Sequence, residues 1–157
     1  MTKRLELELC GVRAAATLFE DRAPRTVAAV WKSLAQPIER DAYHAIWSGK
    51  EIFFYIPPTD QDVPLENHSV WCEPGELFWF YMPAGALKVR GQTPELRSSG
   101  EVFEIAIIYG QANFRIMGED GWRGNIFGEI TENKEAFMQA CSLVLDKGIQ
   151  KIAMRRR

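Results

Sequence analysis

Alternating apolar and polar residues predict that the chain begins with β-structure. Residues 5–9, Leu-Glu-Leu-Glu-Leu, alternate strictly, which is the period of a strand with one buried face. Gly11 then interrupts the pattern before a second, largely apolar run over residues 12–19. The first twenty residues therefore predict a β-hairpin.

Two later stretches carry the spacing of amphipathic helices. Pro24 suits a first helical turn, and apolar residues recur three to four positions apart from there until Pro37. A second stripe follows Thr131, which we expect to cap the helix, and it ends at Lys147 and Gly148, a basic last turn and a C-cap glycine. The apolar positions of the two stripes are Val27, Val30, Trp31 and Leu34, then Ala136, Phe137, Ala140, Val144 and Leu145.

The remaining apolar runs predict strands. Residues 43–48 and 52–56 flank the turn Ser-Gly-Lys and predict a second hairpin with both faces apolar. The polar stretches 57–74 and 92–100 predict loops. Further strands are expected at 76–82, 87–90, 102–109, 125–130 and 149–154, with an irregular Gly-rich segment at 111–123.

Composition favours one folded domain over residues 1–157. The apolar content of 46% can fill a single core without disulfides or a structural metal. The net charge of -2 argues against a general nucleic-acid binder. Cys10, Cys72 and Cys141 have no metal-site spacing and fit a reducing compartment. The start lacks a signal-peptide pattern and no run is apolar enough to span a membrane, so we expect a cytoplasmic protein.

Residues 17–34 resemble the opening of a cyclophilin. They combine an apolar strand, a short acidic turn, a Pro followed by Arg and Thr, and a helix. Residues 127–130, Phe-Gly-Glu-Ile, with the following helix and closing strand, resemble the end of a cyclophilin. The resemblance covers most of the chain and is weakest in the middle. It implies a mainly β fold with two helices, a closed cyclophilin-like β-barrel.

The residues of a prolyl isomerase do not accompany this resemblance. Cyclophilins carry an Arg after a His on the third strand, and this chain has His44 followed by Ala45. A cation that stabilises the substrate amide is therefore missing, which argues against prolyl isomerase activity. Residues 44–49, His-Ala-Ile-Trp-Ser-Gly, instead resemble a family of small bacterial cyclophilin-like proteins. A cyclophilin-like fold also occurs in opine synthases that condense histidine with 2-oxoglutarate, and that resemblance implies an enzyme without a cofactor.

Glu104 is the first candidate catalytic residue. It is the only charged residue between Val102 and Gly110, and strand alternation sets it on one face with Ala106 and Ile108. A carboxylate on an apolar face must be paired, hydrogen-bonded or protonated, and a raised pKa is what a general acid or base needs. A solvent-facing acid at the start of a strand explains the pattern equally well, so the sequence leaves both interpretations open.

Other candidates are weighed against ordinary structural roles. His44 is the second catalytic candidate, although a lone strand His is usually hydrogen-bonded within the core. The cationic candidates for binding substrate carboxylates are Lys88, Arg90, Arg115 and Arg123. The aromatic candidates for lining a pocket for a planar ligand are Trp47, Trp79, Tyr81 and Trp122. Solvated strand faces and core packing are the alternatives for these two sets. The acidic loop at 60–68 matches no standard metal spacing, so no metal is expected.

Three functional hypotheses follow. The first is an enzyme that acts on a small, anionic, amino-acid-derived substrate, in its sharpest form a cofactor-independent Pictet-Spengler condensation of L-histidine with 2-oxoglutarate. The second is a non-catalytic protein that binds a ligand or peptide, and the third is a residual prolyl isomerase. Neither nucleic acid nor membrane is an expected partner, while pairing of two copies through a sheet edge is left open.

Overall fold

The computed structural model describes residues 2–58, 60, 62–84, 101–115 and 122–157 of the chain. The described residues form nine strands and two helices. In chain order these are β1 (Arg4–Leu9), β2 (Val12–Leu18), α1 (Pro24–Ser33), β3 (Ile38–His44), β4 (Gly49–Tyr55), β5 (His68–Ser69), β6 (Glu76–Met82), β7 (Val102–Ala112), β8 (Gly124–Glu132), α2 (Lys134–Lys147) and β9 (Gln150–Arg156). The strand predicted at 87–90 and the loop predicted at 92–100 lie outside the described residues.

Eight of the strands close into an antiparallel barrel. Their order is β2-β1-β9-β3-β4-β7-β6-β8, and the last strand pairs back onto the first. The short β5 pairs with the start of β8, ahead of the stretch that pairs with β2. The mainly β fold with two helices and a closed barrel, expected from the resemblance to cyclophilins, is thereby confirmed.

The two hairpins differ in their connections. Cys10 and Gly11 form the first turn with φ angles of 51° and 77°, so both central residues are left-handed as tight hairpin turns require. In the second hairpin, β3 ends at His44, and residues 45–48 form the connection rather than the predicted strand. The reason is that the Ser48 carbonyl accepts a hydrogen bond from the Asn113 N–H (2.9 Å), which draws the connection toward the end of β7.

The predicted cap of α2 is wrong, although the rest of the helix agrees with the prediction. Thr131 lies within β8, where its hydroxyl is 2.9 Å from that of Thr17. The residue at the N-cap is Asn133, which has a φ of 55° and donates its side-chain amide to the Arg13 carbonyl (2.7 Å). At the other end the helix stops at Gly148, as expected, with a φ of 82°.

The side chains that point into the barrel form one core with both helices. The chain enters α1 from the end of β2, while α2 follows the end of β8. Because Leu18 lies opposite Gly128 and Ala15 lies opposite Glu132, the two helices leave this strand pair at opposite ends. They therefore pack against the barrel core from its two ends. Neither helix in the described part of the chain is long and apolar enough to cross a bilayer.

A second hydrophobic cluster lies on the outside of the barrel. It uses the residues of β4, β6, β7 and β8 that alternate with those of the core, and we call it the outer cluster. Its buried members are Tyr55, Phe78, Phe80, Met82, Val102, Ala106, Ile108, Ala112, Phe114 and Ile126. Strands buried on both faces explain why the 52–56 run reads as apolar throughout.

The pairing of β2 with β8, the closing seam of the barrel, can be tested by substitution. A Cβ added at Gly128 would lie 2.7 Å from the backbone oxygen of Thr17, so β2 and β8 would have to separate. We expect Gly128→Ala to destabilise the protein by about 1–3 kcal/mol, which thermal unfolding measures. Gly110→Ala is the matched control, because there the added Cβ meets only the flexible side chain of Lys50. Equal melting temperatures for the two variants would contradict the closed seam.

Candidate functional site

The outer cluster surrounds a carboxyl group. Glu104 pairs with Tyr55 of β4 on one side and with Phe80 of β6 on the other. The next row along the strands is Phe53, Ala106 and Phe78. Directly opposed residues of antiparallel strands point to the same face, so Glu104 emerges between aromatic side chains.

Three chain segments cover this face. Residues 70–72 and 112–115 are joined by a hydrogen bond from the Phe114 N–H to the Val70 carbonyl (2.8 Å), and the Trp122 N–H donates to the Phe114 carbonyl (2.9 Å). The Phe114 ring packs edge-on against Phe78 and Phe80, at centroid distances of 5.0 and 5.1 Å. The Trp122 ring lies 6.1 Å from that of Phe80. The sheet and this cover together enclose most of the Glu104 side chain.

Glu104 is 6% exposed, so it is not the solvent-facing acid that the sequence had left open. Among the described residues its carboxyl makes no hydrogen bond or ion pair. Burial, reinforced by the charge of Glu51, raises the pKa of Glu104 well above its ordinary value. Burial thus favours the protonated form of this carboxyl, and once it has lost its proton it is a stronger base than an exposed carboxylate.

Glu51 is a second buried carboxyl on the same face, and the sequence analysis missed it. It is 4% exposed and accepts a hydrogen bond from the hydroxyl of Ser48. Burial raises the pKa of Glu51 to about 7, against the opposing effect of the Ser48 hydrogen bond. Like Glu104, Glu51 is a charged residue next to an apolar run, which could have marked it as a candidate. The adjacent Lys50, however, makes this segment resemble a polar turn.

The two carboxyls are linked electrostatically. Burial raises the pKa of both, and the negative charge of an ionised Glu51 adds to the rise for Glu104. Two carboxyls whose pKa values are raised can supply a proton donor and a proton acceptor at the same pH. Burial, reinforced by the charges of Glu51, Glu76 and Glu73, raises the pKa of the Cys72 thiol, which disfavours the nucleophilic thiolate.

The structure does not bring His44 to Glu104. His44 pairs with Ile52, an inward-pointing residue, so alternation sends the two side chains to opposite faces of the sheet. The imidazole lies 2.6 Å from the Tyr109 hydroxyl through Nε2, and Nδ1 lies 2.7 Å from the Ala45 carbonyl. Since a carbonyl only accepts, Nδ1 carries the proton and the hydroxyl donates to Nε2. In the described part of the chain, His44 and Glu104 therefore do not share a pocket, a question that the sequence alone could not answer.

Only one of the four aromatic candidates lies in the Glu104 site. Trp122 covers the outer cluster, as described above. Trp79 and Tyr81 alternate with Phe78 and Phe80, so they lie on the inner side of β6, where both rings contact Phe103. Trp47 lies on the 45–48 connection and is 50% exposed. The aromatic neighbours on β4 that the sheet register places with Glu104 are Phe53 and Tyr55, which were not among the candidates.

The cationic candidates lie at the rim or outside the described structure. Arg115 is exposed, with its guanidinium 5.2 Å from the centroid of the Trp71 ring, and Arg123 is exposed next to Trp122. Lys88 and Arg90 belong to the residues that the structure does not describe. Within the described ranges, no Lys or Arg forms an ion pair with either buried carboxyl. Those ranges also contain no group of three or more His, Cys, Asp or Glu arranged to hold a metal.

Together these features define a cyclophilin-like barrel that carries two buried carboxyls on its covered outer face. The chain matches the model of a family described as a protein of unknown function (DUF3830) over residues 5–155, and it belongs to that family. No curated protein matches it.

Three of the solved structures that resemble this chain do so to different degrees. That of McbB in complex with tryptophan has a TM-score of 0.62 at 15% identity, covering 98% of this chain and 44% of McbB. This chain thus spans less than half the length of McbB. The hypothetical protein AF2241 from Archaeoglobus fulgidus has a TM-score of 0.54 at 20% identity, with 99% and 95% covered. The Mimivirus cyclophilin has a TM-score of 0.49 at 12% identity, with 98% and 87% covered. The first two show that the fold is shared.

The raised pKa of Glu51 can be tested without any substrate, through the pH dependence of stability. The folded protein holds this proton more tightly than the unfolded chain, so its stability falls as the pH rises from about 4.5 to about 7. Glutamine has no proton to lose, so we expect Glu51→Gln to lack this loss of stability with rising pH. The variant should be more stable than the wild type by about 3 kcal/mol at pH 8. Urea unfolding from pH 4 to pH 8 measures this difference. A variant whose stability parallels that of the wild type over this range would contradict the burial of an ionisable Glu51.

Proposed function

We propose that this protein is an enzyme that transfers protons on a small amino-acid-derived substrate, with Glu104 as its acid–base group. The observation that carries this proposal is the Glu104 carboxyl, buried among aromatic rings without a hydrogen-bond partner in the described part of the chain. Such burial costs stability unless something offsets it. Strongly perturbed acids of this kind concentrate at functional sites.

The specific reaction that we propose is the Pictet-Spengler condensation of L-histidine with 2-oxoglutarate. Support comes from the resemblance of residues 44–49 to small cyclophilin-like proteins and from the occurrence of this fold in opine synthases. The shared fold of McbB, whose structure holds tryptophan, adds a second aromatic amino acid as a candidate amine. The substrates would be held by aromatic faces and, at their carboxylates, by the rim cations Arg115 and Arg123 together with Lys88 and Arg90.

A neutral Glu104 suits the proton balance of this reaction. The amine adds to the ketone to give a carbinolamine, and Glu104 protonates the departing hydroxyl, so that water leaves and an iminium ion forms. A ring carbon of the imidazole then attacks the iminium carbon. The Glu104 carboxylate accepts the proton released from that ring carbon, which restores the aromatic ring and the neutral acid. Because donation and acceptance cancel, the cycle needs no cofactor.

Binding without turnover is the second candidate function. Two large aromatic side chains are solvent-exposed, Trp47 of the 45–48 connection at 50% and Trp71 of the cover at 61%, which is typical of a surface that holds a ligand or peptide. Prolyl isomerisation is the third and weakest candidate, because Ala45 occupies the position of the isomerase Arg. A ligand that raises the melting temperature but is never converted would favour binding over catalysis.

The proposed reaction is tested by incubating the protein with histidine and 2-oxoglutarate and following a cyclised product by mass spectrometry, with tryptophan as a second amine. We expect product from the wild type and at least a hundredfold lower rate from Glu104→Gln, since acid–base catalysis contributes about that much or more. Glu135→Gln is the matched control, because Glu135 is an exposed acid in the first turn of α2.

Two results would count against this account. The absence of product with either amine would reject the condensation. Full activity of Glu104→Gln would remove Glu104 from the mechanism.

A further inference from the structure

We infer that Glu51, oriented by Ser48, is an electrostatic positioning residue of this site and controls the protonation of Glu104. The inference rests on the proposed role of Glu104, and it extends that role to a pair of carboxyls. It assigns a function to two residues that neither the resemblance to cyclophilins nor the family membership provides.

The sheet register places the two carboxyls on one face. Glu51 lies opposite Ile108, and Glu104 lies opposite Tyr55, with the row of Phe53 and Ala106 between them. Four residues of β7 separate the two rows, which corresponds to roughly 13 Å along the backbone. The carboxyls therefore do not share one proton. They interact through a buried, apolar region in which a charge is poorly screened.

Glu51 is held in a fixed position. Its backbone carbonyl accepts a hydrogen bond from the Ala45 N–H (3.0 Å), and its carboxylate accepts one from the Ser48 hydroxyl. Ser48 is itself 5% exposed, and its carbonyl accepts from the Asn113 N–H (2.9 Å). Asn113 pairs with Trp71, so Ser48 connects Glu51 to the segments that cover the site.

The titratable groups on the face around Glu51 are mostly acidic or neutral. They are Cys72 of the cover, Glu76 of β6, Tyr43 of β3, Tyr55 of β4 and Glu104 of β7, while the side chain of the adjacent Lys50 packs against Gly110 of β7. Within the described residues no cation pairs with Glu51, so its charge is not neutralised by an ion pair. An ionised Glu51 therefore acts on the groups of this face that can remain protonated, among them Glu104 and the Cys72 thiol.

This arrangement favours a cationic intermediate. While Glu51 is ionised, Glu104 keeps its proton and is available as a donor. When Glu104 donates that proton, two carboxylates face the iminium ion, and their mutual repulsion is relieved by its positive charge. Glu51 thus acts on the chemistry through Glu104, as an electrostatic positioning residue, and the site should select amines over neutral analogues of the same shape.

Titration of the individual carboxyls tests the inference without any activity. We would label the side-chain carboxyl carbons of Glu with 13C and follow them by NMR against pH in the wild type, Glu51→Gln, Glu104→Gln and Glu76→Gln. The Glu104 signal is the one absent from Glu104→Gln. We expect Glu51→Gln to shift the Glu104 midpoint to lower pH. Glu76→Gln, which removes a half-buried acid from the same row as Glu51, should leave it in place.

Ser48→Ala tests the inference a second time with both carboxyls in place. The hydroxyl stabilises the ionised form of Glu51, so its loss should move the Glu51 midpoint to higher pH. An unchanged Glu104 midpoint in Glu51→Gln, or an unchanged Glu51 midpoint in Ser48→Ala, would overturn the inference.

The outcome is separable from that of the proposed function. Coupled titrations without any condensation product would reject the reaction and support the carboxyl pair. Product formation with uncoupled titrations would support the reaction and reject the pair. If both hold, the rate should depend on a group that titrates near pH 7, and Glu51→Gln should lose that dependence.

Discussion

Desolvation of Glu104 is the constraint on which the rest of the site depends. A carboxyl in an apolar environment keeps its proton, because its ionised form loses more hydration than its neutral form. This condition needs a sheet that is apolar on both sides and a cover that limits contact with water. The barrel provides the first, and residues 70–72, 112–115 and Trp122 provide the second. Removing any of these layers would return Glu104 toward the ordinary pKa of an exposed acid.

Strand alternation places the core residues and the residues of the candidate site on opposite faces of the barrel wall. Inward residues of β4 and β7 pack with both helices in a single core, while their neighbours along each strand form the floor of the site. The floor is therefore built on rigid, fully paired strands, which suits a site that must hold two carboxyls at a fixed separation. The seam at Gly128 matters to the site for the same reason, since it closes the barrel.

Much of the fold could be predicted from sequence because its determinants are local. Strict alternation at residues 5–9 and the helix start at Pro24 are short-range signals, and the structure agrees with both. Thr131 failed as a cap because its hydroxyl lies beside Thr17 of a distant strand, a tertiary contact that overrides a local preference.

Only part of the candidate site could be predicted from sequence, for a related reason. Alternation fixed the face of Glu104 correctly, since the residue stands alone in an apolar strand. It could not show that Glu51 shares this face, because the register between β4 and β7 depends on pairing between residues about fifty positions apart. The same missing register concealed that His44, Trp79 and Tyr81 point away from Glu104. Sequence patterns within one strand determine faces relative to that strand, and only the sheet joins them.

The protonation state of Glu104 at neutral pH tests the central claim most directly. Infrared difference spectroscopy between the wild type and Glu104→Gln at pH 7 separates the carbonyl band of a neutral carboxylic acid from the bands of a carboxylate. We predict that the wild type shows the neutral-acid band and that Glu104→Gln lacks it. A difference spectrum that contains only carboxylate bands would contradict the buried neutral acid on which both proposals depend.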